Sequence, residues 1–305
     1  MAAYTTIDNP ELYFQVKTYT GNGSTQSITL DGDENMSPNL VWIKARSSAQ
    51  ENILFDTVRG VTNWLQADTT AVEADQNTSL TSFDSDGFSL ADIGEVNANT
   101  YTYVAWCWKE TADAGFDIVT FTGNGSARTI SHSLSAKPDF FVVKGRTFVE
   151  QWECYHTSLG ATKCLQWDDN SAEDDLAGRF NDTEPTSSVF TVGDADAVNK
   201  NTEDFVAYLW TGKQGFSKFG KFRGNHNNDG VFVYLGFRPA YLMVKRYDAS
   251  EGWYIYDSKR DTYNAGNLLR LYVHANDEES AAMGLDLLSN GFKMRNTDGG
   301  HNRVG

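Results

Sequence analysis

One register of residues returns three times along this chain at a spacing of about 100. The pattern Pro-x-hydrophobic-hydrophobic-x-(Val/Ile)-Lys occupies residues 38–44, 138–144 and 239–245. The phenylalanines that follow it lie 102 residues apart, at Phe88, Phe190 and Phe292. Agreement at several positions with one period indicates that the chain contains three copies of one unit.

The length of the repeat limits what the unit can be. Solenoid and propeller repeats run from roughly 20 to 50 residues, whereas about 100 residues is the usual size of a separately packed domain. We therefore expect an N-terminal arm at residues 1–12 and three tandem domains: repeat 1 (13–112), repeat 2 (113–214) and repeat 3 (215–305). Each repeat is long enough to bury its own core, so the domains are expected to follow one another like beads.

Short runs rich in β-branched and aromatic residues predict an all-β fold. Residues 14–19, 101–108 and 253–256 are such runs, and Gly, Asn, Asp and Ser separate them. We expect each repeat to be a β-sandwich of jelly-roll-like type. Only residues 170–180 and 277–288 have helix-like windows, and neither predicts more than a short surface helix.

The glycine-rich segments are interpreted as turns. Thr-Gly-Asn-Gly-Ser occurs at residues 20–24 and 122–126. A phosphate-binding glycine loop joins a strand to a helix, but strand-like residues follow these glycines, so we expect them to serve backbone geometry. Asp86-Gly87 and Asn290-Gly291 predict tight hairpins just before the repeated phenylalanine.

Repeat 3 is expected to lack its last strand. The strand containing Val104 begins 16 residues after Phe88, and its counterpart at Val206 begins 16 residues after Phe190. The same count from Phe292 passes Gly305. Either the chain continues, which we favour because proteins avoid long unpaired edges, or another subunit supplies the strand. The predicted assembly contact lies at this open edge, with Phe292, Arg303 and Gly305.

The formal net charge is −16, from 25 Lys and Arg against 41 Asp and Glu. An acidic surface repels nucleic acid and anionic membranes, so we expect neither direct nucleic-acid binding nor membrane insertion. The acidic clusters do not have the spacing of a Ca²⁺ loop and are interpreted as solvated loops. Residues 1–10 do not resemble a signal peptide, and no run reaches the ~20 apolar residues of a membrane-spanning helix.

The sequence contains no recognisable catalytic or metal-binding motif. His-Glu-x-x-His, Gly-x-Ser-x-Gly and Cys-x-x-Cys are all absent, and the five histidines have no metal-ligand spacing. We therefore predict a non-enzymatic protein with no catalytic residue, metal or cofactor. The odd number of cysteines favours free thiols in a reducing compartment, although Cys154 and Cys164 could pair.

Tryptophans are the candidate ligand-contacting residues. Trp106 and Trp108 lie in a strand that is apolar on both faces, which favours a central, covered strand over a sugar-stacking platform. Trp64 and Trp167 lie in polar surroundings and could stack on sugar rings. Because they occur at related repeat positions, packing is the competing interpretation.

Several motifs of repeat 1 carry a family resemblance. They are the segments at residues 19–24, 38–44, 55–60, 83–88 and 103–109, together with the opening residues 1–8. They resemble a domain found in structural proteins of marine tailed phages, notably those of cyanobacteria. The similarity covers repeat 1 well, repeat 2 less well and repeat 3 loosely; Arg59, for example, is replaced by Leu159. The resemblance implies a virion component, often described as tail-fibre-like, without established catalytic residues.

Three functions are compatible with these features. The first is a non-enzymatic virion structural protein of the tail or capsid surface, made in the host cytoplasm and associated with other virion proteins. Fibres and spikes are commonly trimeric, so a homotrimer is expected, with loops that contact host surface glycans. The alternatives are a carbohydrate-active depolymerase, which would need two suitably placed carboxylates, and a lectin-like carbohydrate-binding module.

Overall fold

The fold is all-β, as the sequence predicts. The structure is a computed structural model that describes residues 5–261, 264, 268–281 and 284–304. Strands make up 38% of the chain and helices 5%. The strands form antiparallel sheets that are consistent with β-sandwiches. The division into exactly bounded domains stays a prediction, but the sheets follow the three repeats.

Repeat 1 contains one large and one small sheet. Its strands are β1 (Phe14–Thr20), β2 (Gln26–Thr29), β3 (Leu40–Ala45), β4 (Ile53–Asp56), β5 (Asn63–Gln66), β6 (Ala74–Asp75), β7 (Leu80–Asp84), β8 (Gly87–Leu90) and β9 (Thr102–Trp108). The large sheet has the order β1-β9-β3-β4-β5-β6, and the small sheet the order β2-β8-β7. A 3-10 helix at Pro10–Leu12 precedes β1, and the short helix α1 (Gly94–Asn97) precedes β9.

Repeat 2 reproduces this arrangement. Its strands are β10 (Phe116–Thr122), β11 (Arg128–Ser131), β12 (Phe140–Gly145), β13 (Glu153–His156), β14 (Lys163–Gln166), β15 (Asp174–Asp175), β16 (Val189–Val192) and β17 (Asp204–Trp210). The large sheet has the order β10-β17-β12-β13-β14-β15, and β11 pairs with β16 in the small sheet. The helices α2 (Ala177–Phe180) and α3 (Asp196–Asn199) are single turns.

Repeat 3 has a shorter large sheet. Its strands are β18 (Phe232–Tyr234), β19 (Tyr241–Lys245), β20 (Trp253–Asp257), β21 (Leu269–Tyr272), β22 (Ser280–Ala281), β23 (Leu285–Leu288) and β24 (Gly291–Met294). The large sheet is β19-β20-β21-β22, and the small sheet is β18-β24-β23. Within the described residues nothing corresponds to β9 or β17, so β19 is an edge strand, as predicted from the repeat spacing.

The predicted turns are present. Gly23 and Gly125 adopt φ angles of +64° and +68°, the left-handed region that glycine enters without steric cost. The hairpin between β7 and β8 pairs Asp84 with Gly87, and the hairpin between β23 and β24 pairs Leu288 with Gly291. Of the two helix-like windows, residues 170–180 contain the two-residue strand β15 and the single turn of α2, and the described part of 277–288 contains strands.

Each repeat has an interior core between its two sheets. Phe55, Phe88 and Tyr103 belong to the core of repeat 1, and Phe141 and Phe190 belong to that of repeat 2. Tyr256, Phe292 and Met294 lie in the corresponding core of repeat 3. The interior cores arise because alternate residues of the large sheet point toward the small sheet.

A fourth core is shared by all three repeats. It gathers the opposite faces of the three large sheets, including Trp42 and Trp106 from repeat 1, Trp152 and Tyr208 from repeat 2, and Ile255 from repeat 3. The expectation of bead-like domains is therefore corrected: the large sheets are apolar on both faces because each packs inward on its own small sheet and outward on the other repeats.

Candidate assembly site: an open groove at the third interface

Repeat 2 contacts repeat 1 through a buried ionic network. Arg59 pairs with Asp56 and, at 2.9 Å, with Glu73, and the side chains of Arg59 and Asp56 are fully buried. Arg146 of repeat 2 joins the network by pairing with Glu73 at 2.7 Å. Tyr208, in the middle of β17, donates its hydroxyl proton to Asp56 at 2.6 Å. Burial is the largest single influence on Arg59 and would lower its pKa, but Asp56, Tyr208 and Glu73 together outweigh it and raise that pKa.

Repeat 1 contacts repeat 3 through the same network. Arg260 pairs with Asp257 at 2.6 Å and with Glu279 at 2.8 Å, and Arg46 of repeat 1 pairs with Glu279 at 2.8 Å. Trp106, at the position of Tyr208, donates its indole N–H to Asp257 at 3.0 Å. Two interfaces are therefore closed by identical chemistry, an Asp-Arg-Glu-Arg chain capped by an aromatic donor from the central strand.

The third interface keeps the backbone contact and lacks the ionic chain. The amide of Glu173 in repeat 2 donates to the carbonyl of Tyr247 in repeat 3 at 2.7 Å. The equivalent amides of Glu73 and Glu279 donate to Arg146 and Arg46, each at 2.8 Å. At this interface His156 replaces the aspartate, Leu159 the first arginine and Tyr247 the second. The three contacts run head to tail and close a ring, which gives the molecule approximate threefold symmetry.

A second set of contacts supports the ring. The indole N–H of Trp152 donates to the carbonyl of Gln66 in repeat 1 at 3.0 Å, and that of Trp253 donates to the carbonyl of Gln166 in repeat 2 at 2.7 Å. Asn52 fills this position in repeat 1 and donates to three carbonyls of repeat 3, including that of Val273 at 3.2 Å. The same sequence position thus joins each repeat to the next.

A large cavity opens at the third interface. Its volume is about 1250 Å³, and both β19 and residues 217–223 contribute to its wall. Residues 217–223 occupy the place of β1 and β10, because Gly224 approaches Arg303 as Gly21 and Gly123 approach Ala98 and Lys200. The cavity therefore lies where β9 and β17 run in the other repeats. We call it the open groove.

The walls of the open groove are aromatic and aliphatic. Trp108, Phe140, Trp167, Trp210 and Trp253 contribute rings to it. The half-buried Tyr241, Leu242 and Met243 of β19 correspond to Leu40, Val41 and Trp42, which are at most 1% exposed. Among the described residues no strand pairs with the free edge of β19, and these side chains are partly uncovered.

His156 contributes an uncharged polar side chain to the wall of the open groove. Burial lowers the pKa of its imidazole, so the ring is neutral near pH 7. The amide of Ser158 donates to Nδ1 at 3.0 Å. Because Nδ1 is the acceptor, the ring proton resides on Nε2. The groove thus presents a hydrogen-bond donor and the alkyl side chain of Leu159 where the closed interfaces present an ion pair.

Two of the three predicted assembly residues line the open groove. Phe292 and Arg303 both line the open groove, Phe292 with a buried side chain and Arg303 with an exposed one. Gly305 lies outside the described residues. Comparison of the repeats identifies Leu159 as a departure from the pattern, but the sequence alone does not place Leu159 and His156 on the wall of the groove.

The predicted sugar-stacking role of Trp64 and Trp167 is corrected. Trp64 is 7% exposed and packs in the interior core of repeat 1, and Trp167 is 1% exposed and packs in the shared core. Neither ring is exposed on the outer surface, although Trp167 also lines the open groove. The preferred interpretation of Trp106 is confirmed, since β9 is central and Trp106 is fully buried.

Sequence reasoning missed an exposed aromatic pair on β18. Phe232 is 44% and Tyr234 56% exposed. Their register against β24 makes them the counterparts of Ser27 and Thr29 in repeat 1. Residues i and i+2 of a strand point to the same face, about 7 Å apart. The sequence signal for this pair is that repeat 3 has aromatic residues at two positions where the other repeats have serine or threonine.

The cysteines are free thiols. Cys107, Cys154 and Cys164 are all buried. Cys154 belongs to the shared core and Cys164 to the interior core of repeat 2, so they lie on opposite faces of the large sheet and do not pair. Burial raises the pKa of Cys164 to about 12. Within the described residues no cluster of His, Cys, Asp or Glu could hold a metal ion, and no helix is long and apolar enough to cross a membrane.

The fold defines a class: an all-β protein whose antiparallel sheets are consistent with β-sandwiches and share one apolar core. The chain belongs to the family described as Domain of unknown function (DUF7483), whose model matches residues 9–305. The match spans all three repeats. No curated protein and no solved structure matches the chain.

Proposed function

We propose that this chain is a non-enzymatic structural protein of a phage virion, placed in a tail fibre or spike or elsewhere on the particle surface. One observation carries the proposal: the departures from the repeat pattern lie on surfaces available to partners. His156, Leu159 and Tyr247 border the open interface, and Phe232 and Tyr234 face the solvent. The resemblance to marine phage structural proteins supports the same class.

The particle itself provides the test. Purified virions, analysed by mass spectrometry and by immunogold labelling against this chain, are expected to contain it in many copies with label on the tail or capsid surface. A chain found only in infected-cell lysate, and never in purified particles, would contradict the proposal. A homotrimer is part of the proposal, and light scattering of the purified protein measures it.

Contact with host surface glycans is the second part of the proposal. The exposed pair Phe232 and Tyr234 supports it, because exposed aromatic rings are typical of contact surfaces. The double variant Phe232→Ser/Tyr234→Thr restores the residues of repeat 1 and is expected to lose at least tenfold in binding on a host-glycan array. Val149→Ser, at a site 68% exposed on repeat 2, is the matched control.

A depolymerase would behave differently in the same experiment. We expect no release of reducing ends from host polysaccharide by the purified protein. Measurable cleavage that disappears when an Asp or Glu is replaced by its amide would overturn the non-enzymatic proposal. Glycan binding without cleavage, by protein that is absent from the particle, would favour a free lectin-like module.

A further inference from the structure

We propose that the outer face of the small sheet in repeat 3 binds an acidic polysaccharide. The sugar rings stack on Phe232 and Tyr234, and carboxylate or sulfate groups of the ligand pair with Lys293 and Arg295. The inference rests on the proposed contact with host glycans and names the class of glycan. We call this surface, formed by Phe232, Tyr234, Gly291, Lys293 and Arg295, the aromatic-cationic face.

The strand register places these side chains together. Val233 of β18 packs against the interior core of repeat 3, and Phe292 of β24 belongs to that core. Because side chains alternate along a strand, Phe232, Tyr234 and Lys293 point away from the core. Phe232 lies directly opposite Lys293 in the paired strands. Neither Phe232 nor Lys293 lines the open groove, so the face extends away from it.

Gly291 keeps the centre of the face flat. It lies opposite Tyr234, and a Cβ atom at Gly291 would lie 3.1 Å from Cε2 of Phe232. The ring of Phe232 therefore lies against β24 at the point where that strand has no side chain. The two rings, about 7 Å apart along the strand, form a flat apolar surface. Such a surface suits the C–H faces of neighbouring sugar rings, whose hydroxyl groups remain in water.

The cations of this face are specific to repeat 3. The residues that correspond to Lys293 and Arg295 in the other repeats are uncharged: Ser89, Ala91, Thr191 and Gly193. Lys218 adds a third cation, since its Nζ lies 5.5 Å from the centre of the Tyr234 ring. Aromatic rings and cations thus occur together on one face of a chain whose formal net charge is −16. This local concentration of positive charge favours an anionic ligand.

Two carboxylates of the chain occupy the cations in the free protein. Lys293 pairs with Asp229 at 2.7 Å, and Arg295 pairs with Asp286 at 2.6 Å. The hydrogen bond from Lys293 lowers the pKa of Asp229, so this carboxylate is charged at neutral pH. Asp229 is exposed, and an exposed ion pair contributes little to stability. An anionic group of the ligand can therefore take the place of Asp229 beside Lys293.

Polysaccharides that differ only in charge are the probes. They are polymannuronate, polygalacturonate and dextran sulfate, each beside an uncharged counterpart: the methyl esters of the first two, and dextran. We expect the 305-residue protein to bind at least one acidic polymer at least tenfold more tightly than its counterpart, measured by biolayer interferometry on immobilised polymer. Raising the salt concentration from about 50 to about 500 mM is expected to weaken this binding at least fivefold, because salt screens exposed charges.

Two variants with opposite effects locate the binding. Lys293→Gln removes a cation and is expected to weaken binding of the acidic polymer at least threefold. Asp229→Asn removes the competing carboxylate and is expected to strengthen that binding at least twofold, an increase that a misfolded protein would not show. Lys163→Gln and Asp175→Asn, in the exposed ion pair of repeat 2 at 3.2 Å, are the matched controls and should leave binding unchanged.

The outcomes separate this inference from the proposed glycan contact. Equal binding of the acidic polymers and their uncharged counterparts would overturn the inference and leave the contact in place. Acidic binding that Lys293→Gln leaves unchanged, or that Asp229→Asn weakens, would also overturn it. Binding of none of the acidic polymers overturns it as well, and the host-glycan array still tests the contact because uncharged glycans are included there.

Discussion

Arg59 and Arg260 are buried cations at the two closed interfaces, each held by two carboxylates. A buried charge loses its hydration and is stable only while its partners remain. Repeat 2 shows an uncharged replacement for this ion pair, since it has His156 and Leu159 at the positions of Asp56 and Arg59. Comparison of the repeats therefore indicates which residues must change together.

The single variant Arg59→Leu is expected to cost about 3–5 kcal/mol of unfolding free energy, because Asp56 is left buried and unpaired. The double variant Asp56→His/Arg59→Leu, which copies repeat 2, is expected to cost less than the single one. Urea unfolding of wild type, both single variants and the double variant measures the coupling. Additive costs would contradict the interpretation of Asp56 and Arg59 as one unit.

Glu153 gives the protein a pH dependence. Its side chain is fully buried, and burial raises the pKa of the carboxyl to about 7, although Arg179 at 3.0 Å opposes the shift. Between about pH 4.5 and 7 the folded state holds a proton that the unfolded state releases. The contribution of Glu153 to stability is therefore present at low pH and is lost as the pH rises toward 7.

The variant Glu153→Gln removes this titration. Relative to wild type, its unfolding free energy is expected to fall less between pH 5 and 7, by about 1–3 kcal/mol, since one pKa unit corresponds to about 1.4 kcal/mol. Chemical unfolding at pH 5, 6 and 7 is the measurement. Glu34→Gln, at an exposed site, serves as control, and parallel curves for wild type and Glu153→Gln would refute the assignment.

At the scale of the element, one asparagine fixes the entry of each central strand. Asn199, at the end of α3, donates to the carbonyls of Ser126 and Gly193 at 2.7 and 2.9 Å and accepts from the amide of Asn124 at 3.0 Å. Asn97 and Asn302 make equivalent bonds. In repeats 1 and 2 the Gly-Asn turn, the short helix and the start of the following strand are thereby tied together.

Replacing Asn199 by alanine is expected to lower the unfolding free energy by about 2–4 kcal/mol, because several buried backbone groups lose partners worth about 1 kcal/mol each. The nearby exposed Asn201→Ala is the control and should change stability by less than about 0.5 kcal/mol. Equal effects of the two variants, measured by denaturant unfolding, would show that the buried asparagine does not fix the strand.

At the scale of the whole molecule, the shared core joins the repeats into one cooperative structure. Its members come from all three large sheets and include fully buried tryptophans. Separating one repeat would expose that face to water, at about 25 cal/mol for each Å² of apolar surface. The head-to-tail contacts between the repeats also favour unfolding of the three repeats together.

Calorimetry of the whole chain is therefore expected to show one unfolding transition. Repeat 2 alone, residues 113–214, is expected to be unstable or aggregation-prone, because Trp152, Tyr208 and their neighbours would become solvent-exposed. Three resolved transitions, or a soluble repeat 2 with the thermal midpoint of the full chain, would favour the bead-like arrangement instead.

Much of this molecule follows from local patterns in the sequence. Strand propensity, turn glycines and the period of about 100 residues predicted the β class, the hairpins and the free edge that β19 has among the described residues. The apolar nature of both faces of β9 and β17 also predicted that these strands would be central and covered. These features depend on neighbours in sequence, or on comparison of one repeat with another.

What covers those faces was decided only by the tertiary structure. An apolar strand face indicates that the face is buried, but it does not indicate which element covers it. Separate bead-like domains and a closed ring of repeats are therefore compatible with the same sequence pattern. Trp64 and Trp167 illustrate this, because polar neighbours in sequence suggested exposure while packing across sheets buried both rings. The open groove has the same origin: repeat spacing predicted a free edge on β19, and only the packing of the repeats around one core showed which side chains line the cavity beside it.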